Sequence, residues 1–318
     1  MITATAAPHI GLFDSGIGGL SVLRALRRLL PGARCSYIAD TACTPWGDRP
    51  ADWVVARCAQ LSAWLIEQPG DKQGEAGADL VLVACNTGTT QAIAALRARW
   101  PGLPFVGVEP GIKPAVAASR NRRVAVMATS GTLGSPRLRQ LVNHHAGDAQ
   151  VLRLPCPGLV EAIERADDGE AALLALSAQL DEIAATLRQA GVDTVVLGCT
   201  HYPLVADALQ QRLGPAVQLV DTAEAVARRV ASLLPSGQPG SVGTMDDSGG
   251  GDSGGGDSGA GDSGAGATGT TGAAPAGLLR LLATGDTQPL QRAAQRWLAA
   301  SGVVERLALP PPDGPPRA

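Results

Sequence analysis

The chain has 318 residues, enough for two domains that each bury a core. A formal net charge of −3 is too small to favour nucleic acid or a membrane surface as a partner. Six cysteines without a CxxC pair, in a chain too long to need a disulfide framework, point to free thiols in a reducing cytoplasm.

Met1 to Pro8 lacks the basic region and apolar core of a signal peptide. No apolar run approaches the ~20 residues of a membrane span, so a cytoplasmic protein is expected. Ile10 to Phe13 reads as a strand. It runs into the glycine-rich turn Asp14-Ser15-Gly16-Ile17-Gly18-Gly19 and a helix over 20–30 that Pro31-Gly32 stops. Cys35 to Ala39 is a second strand, followed by Asp40 and a loop holding Pro45, Trp46 and Gly47. A helix over 51–67 places Val54, Cys58, Leu61 and Leu65 on one face. A polar loop leads to a strand ending at Cys85, a helix over 89–99 and a strand at 105–108 before Glu109.

From Arg122 the pattern restarts. A strand over 124–128, a turn at 129–132, a helix over 136–145 and a strand over 151–154 precede helices at 158–165 and 170–190. A strand ending at Cys199 and a helix over 204–213 follow, then a strand over 217–221 and a helix over 223–234. Composition collapses to Gly, Ser, Ala, Asp and Thr over 236–277, where Asp247, Asp252, Asp257 and Asp262 each begin a DSG unit. That stretch buries nothing and reads as a disordered insertion; the alternating apolar residues of a calcium β-roll are missing. A strand over 278–283, a helix over 289–300 and a flexible proline-rich tail at 310–318 complete the chain.

Alternating strands and helices predict an α/β fold with parallel sheets. The restart is metric: Ile10 and Cys85 lie 75 residues apart, and so do Val124 and Cys199. The two strands also share a pattern, Gly77-Ala78-Asp79 before Cys85 and Gly191-Val192-Asp193 before Cys199. Two similar parallel-sheet domains in a pseudo-twofold arrangement are therefore expected, with the active site in the interdomain cleft. The first comprises 8–104 plus 217–309 and the second 105–216. Ligands of open α/β sheets sit beyond the C-terminal strand ends, where both cysteines, Asp14, Asp40 and Glu109 fall.

A matched pair of thiols suits a reaction that needs two similar groups on opposite faces of one small molecule. A thiol near a helix N-terminus has its thiolate favoured, which predicts a modest pKa depression and a useful base. The other cysteines, among them Cys35, Cys58 and Cys156, read as small core hydrophobes. His201, two residues after Cys199, is a candidate helper, but Cys199 and His201 alone supply too few ligands for a metal. The turn at 14–19 has neither P-loop nor GxGxxG spacing; its amides suit a substrate carboxylate, with Asp14 as partner of an ammonium or of a thiol. The only lysines, Lys72 and Lys113, lack the setting of a pyridoxal Schiff base.

Phe13 to Gly19, Ala39-Asp40, Pro45-Trp46-Gly47, Ala84-Cys85-Asn86-Thr87, Val108-Glu109-Pro110-Gly111 and Gly198-Cys199-Thr200-His201-Tyr202-Pro203 together resemble glutamate racemase, of the aspartate/glutamate racemase family. The resemblance runs from Ile10 to Asp221 and resumes at Leu278, with Ala283-Thr284-Gly285-Asp286 similar to the family's last strand and turn. It implies two α/β domains, no cofactor and racemisation of glutamate, which supplies D-glutamate for peptidoglycan. It implies that Cys85 serves D-glutamate and Cys199 L-glutamate, aided by Asp14, His201 and Glu164. It implies that Ser15, Asn86, Thr87 and Thr200, with the backbone at Pro45, Trp46 and Gly47, hold the amino acid. Glutamate is the expected partner, and a homodimer is left open. An aspartate or other acidic amino-acid racemase, or a non-catalytic amino-acid-binding protein, are the alternatives. Three departures stand out: Trp46 replaces the usual Tyr, Gly88 replaces a small side chain such as Ala, and the 236–277 insertion is no family feature.

Overall fold

A computed structural model describes residues 7–67, 77–234, 277–300 and 302–312. The chain begins with β1 (His9–Asp14), α1 (Leu20–Leu29), β2 (Arg34–Ala39), α2 (Ala51–Ile66), β3 (Leu80–Val83), α3 (Asn86–Arg99) and β4 (Phe105–Gly107). It continues through α4 (Ile112–Ala118), β5 (Arg123–Ala128), α5 (Ser130–Leu133), α6 (Pro136–His145), β6 (Gln150–Pro155), α7 (Leu159–Glu164), α8 (Glu170–Gln189) and β7 (Thr194–Leu197). A 3₁₀ turn over Tyr202–Val205 leads to α9 (Ala206–Leu213), β8 (Gln218–Val220) and α10 (Ala223–Leu233). After the undescribed stretch come β9 (Leu279–Ala283), α11 (Gln288–Leu298) and β10 (Val304–Arg306).

Every strand pair is parallel. A six-stranded sheet has the order β10-β9-β2-β1-β3-β4, and a four-stranded sheet the order β6-β5-β7-β8. The unit β2-β1-β3-β4 is thus repeated as β6-β5-β7-β8, in the pseudo-twofold arrangement that the duplication predicts. Register repeats too. Ile10 faces Leu80 and Val124 faces Thr194, both 70 residues ahead, while Val81–Phe105 and Val195–Leu219 are both 24 residues apart. One offset of 114 residues carries β1 onto β5 and Cys85 onto Cys199.

The apolar runs are continuous because helices cover both faces of each parallel sheet. Period two still sorts them: Ile10, Leu12, Leu80 and Leu82 face one core, and Phe13, Val81 and Val83 the other. The first of these cores crosses into the second domain, joining Ile17 and Leu20 to Val160, Ile163, Leu197 and Tyr202. Among the described residues no helix is long and apolar enough to cross a membrane.

The domain boundaries differ from expectation. β4 pairs with β3 in the first sheet, and β8 pairs with β7 in the second. The chain therefore crosses after Gly107 and after Val220, not at 104/105 and 216/217; α10 then returns to pack on α1. Strand pairing decides this, and a break in composition does not reveal it. Three elements differ from expectation: α5 is a one-turn helix where a turn at 129–132 is expected, and α4 and β10 fall in no expected element. α4 contains Pro114, which sits in the first turn, where a missing N–H costs no helical bond. β10 is a three-residue edge strand with exposed Glu305 and Arg306. The expected insertion at 236–277 and tail at 310–318 lie mostly outside the described residues. At their edges, Gly277 N already donates to Pro31 O (2.7 Å), and Pro310 O accepts from Arg57 (2.7 Å).

Candidate active site

The C-terminal ends of β1 and β3 deliver Asp14 and Cys85 to one spot. Cys85 caps α3, which begins at Asn86 rather than at 89: Gly88 sits inside the first turn, and its N–H donates to the Cys85 sulfur (3.4 Å). The Cys85 thiol donates toward Ser15 Oγ at 3.8 Å. Asp14 is fully buried and richly bonded. Its Oδ1 accepts from Ser15 N (2.7 Å) and its Oδ2 from Gly19 N (2.6 Å) and Thr200 Oγ1 (3.2 Å). Burial pushes the Asp14 carboxyl above the usual carboxylate range, against the opposing charge of His201 and the bonds from Cys85, Ser15 and Gly19.

Burial also pushes the Cys85 thiol well above its ordinary value, and the Asp14 charge adds to the rise. The expected depression is thus overturned at Cys85. The Gly88 amide pulls the other way, but one amide at a helix start does not offset the loss of water beside a carboxylate. The charge of Cys199 contributes to the same rise.

The second half of the site hangs on Glu164, the last residue of α7. Its Oε1 accepts from His201 Nε2 (2.8 Å), from Ile17 N (3.1 Å) and from Thr44 Oγ1 (3.4 Å). His201 Nδ1 lies 3.8 Å from the Cys199 sulfur. Burial alone would lower the imidazole pKa; the Cys199 sulfur and the Glu164 carboxylate outweigh it and hold His201 well above its ordinary 6.5. Cys199 does not cap an α-helix directly, because Thr200, His201 and the 3₁₀ turn stand between it and α9.

Amides of the glycine turn hold two of the protein's own carboxylates, those of Asp14 and Glu164. Its glycines permit close approach: a Cβ at Gly16 would collide with Glu164, and one at Gly18 with His201.

Across the cleft, Thr87 Oγ1 lies 2.9 Å from Thr129 Oγ1 and 3.3 Å from Thr132 Oγ1, and Gly131 N donates to Gly47 O (2.9 Å). Asn86 is buried, donates through Nδ2 to Val108 O (3.0 Å), and has no partner for Oδ1 among the described residues. Pro45 is partly exposed beside this cluster. The Trp46 side chain is not in it. The ring is buried in the first domain's core near Phe13 and Trp53, and its Nε1 donates to Asp40 Oδ2 (3.0 Å). Asp40 and Glu109 also stay out, Asp40 in a buried pair with Arg57 and Glu109 in a pair with Arg137 (2.6 Å).

A model of the Asp/Glu/Hydantoin racemase family matches residues 19–230. The chain belongs to this family. A glutamate racemase of Pseudomonas paraeruginosa is 43% identical over 233 residues, 73% of this chain and 83% of that protein. One of Ralstonia nicotianae is 37% identical over 318 residues, all of this chain and 99% of that one. The solved Escherichia coli glutamate racemase, a complex with L-glutamate and the activator UDP-MurNAc-ala, has a TM-score of 0.70 and 30% identity, covering 95% of this chain and 98% of that one.

This racemase is an isomerase whose two thiols have different neighbours. Cys85 has a carboxylate beside it, whereas Cys199 has an imidazole backed by a carboxylate. Hydrogen bonds and chain neighbours link Asp14, Ser15, Cys85, Asn86, Thr87, Glu164, Cys199, Thr200 and His201 into one cluster. Sequence reasoning missed Thr129 and Thr132. The signal was present, since the 114-residue offset that matches the cysteines carries Ser15 onto Thr129. The turn of the second domain thus meets the cleft as the turn of the first does.

Proposed function

We propose that this racemase interconverts L- and D-glutamate by a two-base mechanism with Cys85 and Cys199. The observation that carries the reading is the pair of thiols at equivalent strand ends of two repeated domains, each thiol with its own protonation partner. The relatives' substrate, glutamate, supplies the amino acid.

In the L-to-D direction, Cys199, 3.8 Å from His201 Nδ1, removes the Cα proton as the thiolate. The Cys85 thiol, kept protonated by burial and Asp14, delivers a proton to the opposite face. Cys199 is then the thiol and Cys85 the thiolate, the starting state for D-glutamate. The raised carboxyl of Asp14, bonded to Cys85, is suited to relay that proton back. The Cα proton is very weakly acidic, so fixed dipoles in a water-poor cleft must stabilise the carbanion. Asn86 Oδ1 is an acceptor for the ammonium, and Ser15, Thr87, Thr129, Thr132 and Thr200 offer hydroxyls for the two carboxylates, beside the backbone at Pro45, Trp46 and Gly47. The product would serve peptidoglycan synthesis in the cytoplasm.

The test is pure protein with L-glutamate and with L-aspartate, without pyridoxal phosphate, read by chiral analysis. D-Glutamate from the wild type, and none from folded Cys85→Ser or Cys199→Ser, supports the reading. Turnover at the wild-type rate in either variant refutes it, and turnover of aspartate alone reassigns the substrate.

A further inference from the structure

The proposed mechanism leaves one fully buried ion pair unused. Asp40 and Arg57 have no exposed side-chain surface. Two buried charges cost several kcal/mol each to desolvate, so such a pair is weak evidence for stability and calls for another account. The bonding is complete. Asp40 Oδ1 accepts from Arg57 Nη2 (2.6 Å) and Thr284 Oγ1 (2.7 Å); Oδ2 accepts from Arg57 Nε (3.0 Å) and Trp46 Nε1 (3.0 Å). Arg57 has an acceptor for each of its five N–H groups: two on Asp40, and Gln60 Oε1 (3.0 Å), Pro310 O (2.7 Å) and Leu309 O (3.1 Å).

Within this network Trp46 is the side chain that sits between two parts of the site. On one side are its own loop neighbours: Thr44, which bonds Glu164, and Gly47, whose carbonyl receives Gly131 N. On the other is the first turn of α3, which carries Cys85, Asn86 and Thr87. A Cβ at Gly88 in that turn would lie 3.1 Å from Trp46 Cζ3, so indole and helix are in close contact.

We propose that Asp40 is a positioning residue of this racemase: through the Trp46 indole N–H it holds the 44–47 loop and the Cys85 turn in register, and Arg57 ties that support to the C-terminal segment Leu309–Pro310. Neither charge touches the reacting atoms. The bond from the Trp46 indole to an acceptor at position 40, rather than the charge of the pair, sets where the backbone of Pro45 and Gly47 meets the substrate, and so acts on substrate binding more than on proton transfer.

The proposal rests on the glutamate reading of the site, and full-length protein tests the two separately. Kinetics in both directions are measured for the wild type, for Trp46→Phe, and for Asp40→Asn combined with Arg57→Gln. Trp46→Phe removes the indole donor together with part of the ring volume, and keeps an aromatic ring in the core. The double variant removes both charges and keeps an acceptor for the indole. For Trp46→Phe, KM is expected to rise about five- to tenfold for both enantiomers, with kcat changed by less than about threefold and the melting temperature lowered less than in the double variant. The double variant is expected to lose thermal stability while its KM stays within about twofold of wild type. KM at the wild-type value in folded Trp46→Phe overturns the proposal, and so does KM that merely follows melting temperature across the series. If the double variant does not fold, Trp46→Phe alone decides. A wild type that does not racemise glutamate removes the underlying reading instead.

Discussion

At the residue scale the site is two thiols with unlike guardians. Burial and the Asp14 charge keep Cys85 a thiol, whereas Cys199 lies 3.8 Å from Nδ1 of His201, an imidazole held charged and backed by Glu164. The sign of the His201 shift is testable. Glu164 stabilises the cation, so Glu164→Gln should move the imidazole titration down toward 6.5, whereas the wild-type ring should stay protonated well above it; NMR of the His201 ring reads both. An unmoved titration would show that Cys199 alone holds the proton. Kinetics of such variants carry a constraint. The two enantiomers are equal in free energy, so kcat/KM must fall equally in the two directions. His201→Asn should therefore lower kcat/KM identically for L- and D-glutamate while splitting kcat and KM unequally between them. The pairing of Cys199 with His201 was legible in sequence because the residues are two apart. The raised Cys85 was not, since burial beside Asp14 depends on β1 and β3 being neighbours.

At the element scale, the two departures that the resemblance implies, Trp46 and Gly88, lie against each other, and they should compensate. Trp46 is larger than the usual residue, and Gly88 is smaller. An alanine at 88 would face Trp46 Cζ3 at 3.1 Å, Val83 Cγ1 at 3.2 Å and Cys58 Sγ at 3.3 Å, all from buried side chains. Ala should gain about 1 kcal/mol of helix propensity over Gly, but overpacking typically costs about 1–3 kcal/mol. Gly88→Ala should thus destabilise the wild type, and Trp46→Tyr should relieve the cost. Denaturant unfolding of the four proteins of this cycle measures the coupling, and additive effects would disprove it. Gly18→Ala should lower both activity and stability, because its Cβ meets the His201 ring and the His201 backbone N; a Gly18→Ala enzyme with normal kcat/KM would contradict that. Most elements were readable from apolar periodicity and from Gly and Pro punctuation. α4 and β10 were not: a proline masked the first, and the second owes its existence to β9, its neighbour in the sheet.

At the scale of the whole molecule, the duplication was the most legible feature and the domain boundary the least. A 75-residue spacing survives in sequence; strand partners do not, so Phe105–Gly107 and Gln218–Val220 were each assigned to the wrong sheet. The domains close tightly on the site, leaving Cys85 5% and Cys199 7% exposed. Beyond Glu164, exposed pairs join α11 to the segment after α7: Arg292 with Asp168 (3.3 Å) and Arg296 with Asp167 (2.6 Å). Each is worth no more than about 1 kcal/mol and is screened by salt. Alkylation of both cysteines should therefore be slow, should accelerate together in Arg296→Gln or at high salt, and should be suppressed by glutamate. Acceleration of one cysteine alone, followed by mass spectrometry, would argue against opening as a unit.

The central claim is that two different thiols serve the two faces of Cα. The most direct test is racemisation of L-glutamate in D₂O, stopped early and without pyridoxal phosphate. With two bases, the D-glutamate formed carries deuterium at Cα while the remaining L-glutamate stays protiated, because the proton removed by Cys199 is not returned to the same face. Deuterium entering the recovered L-glutamate as fast as D-glutamate forms would show a single base working on both faces, and would contradict the account.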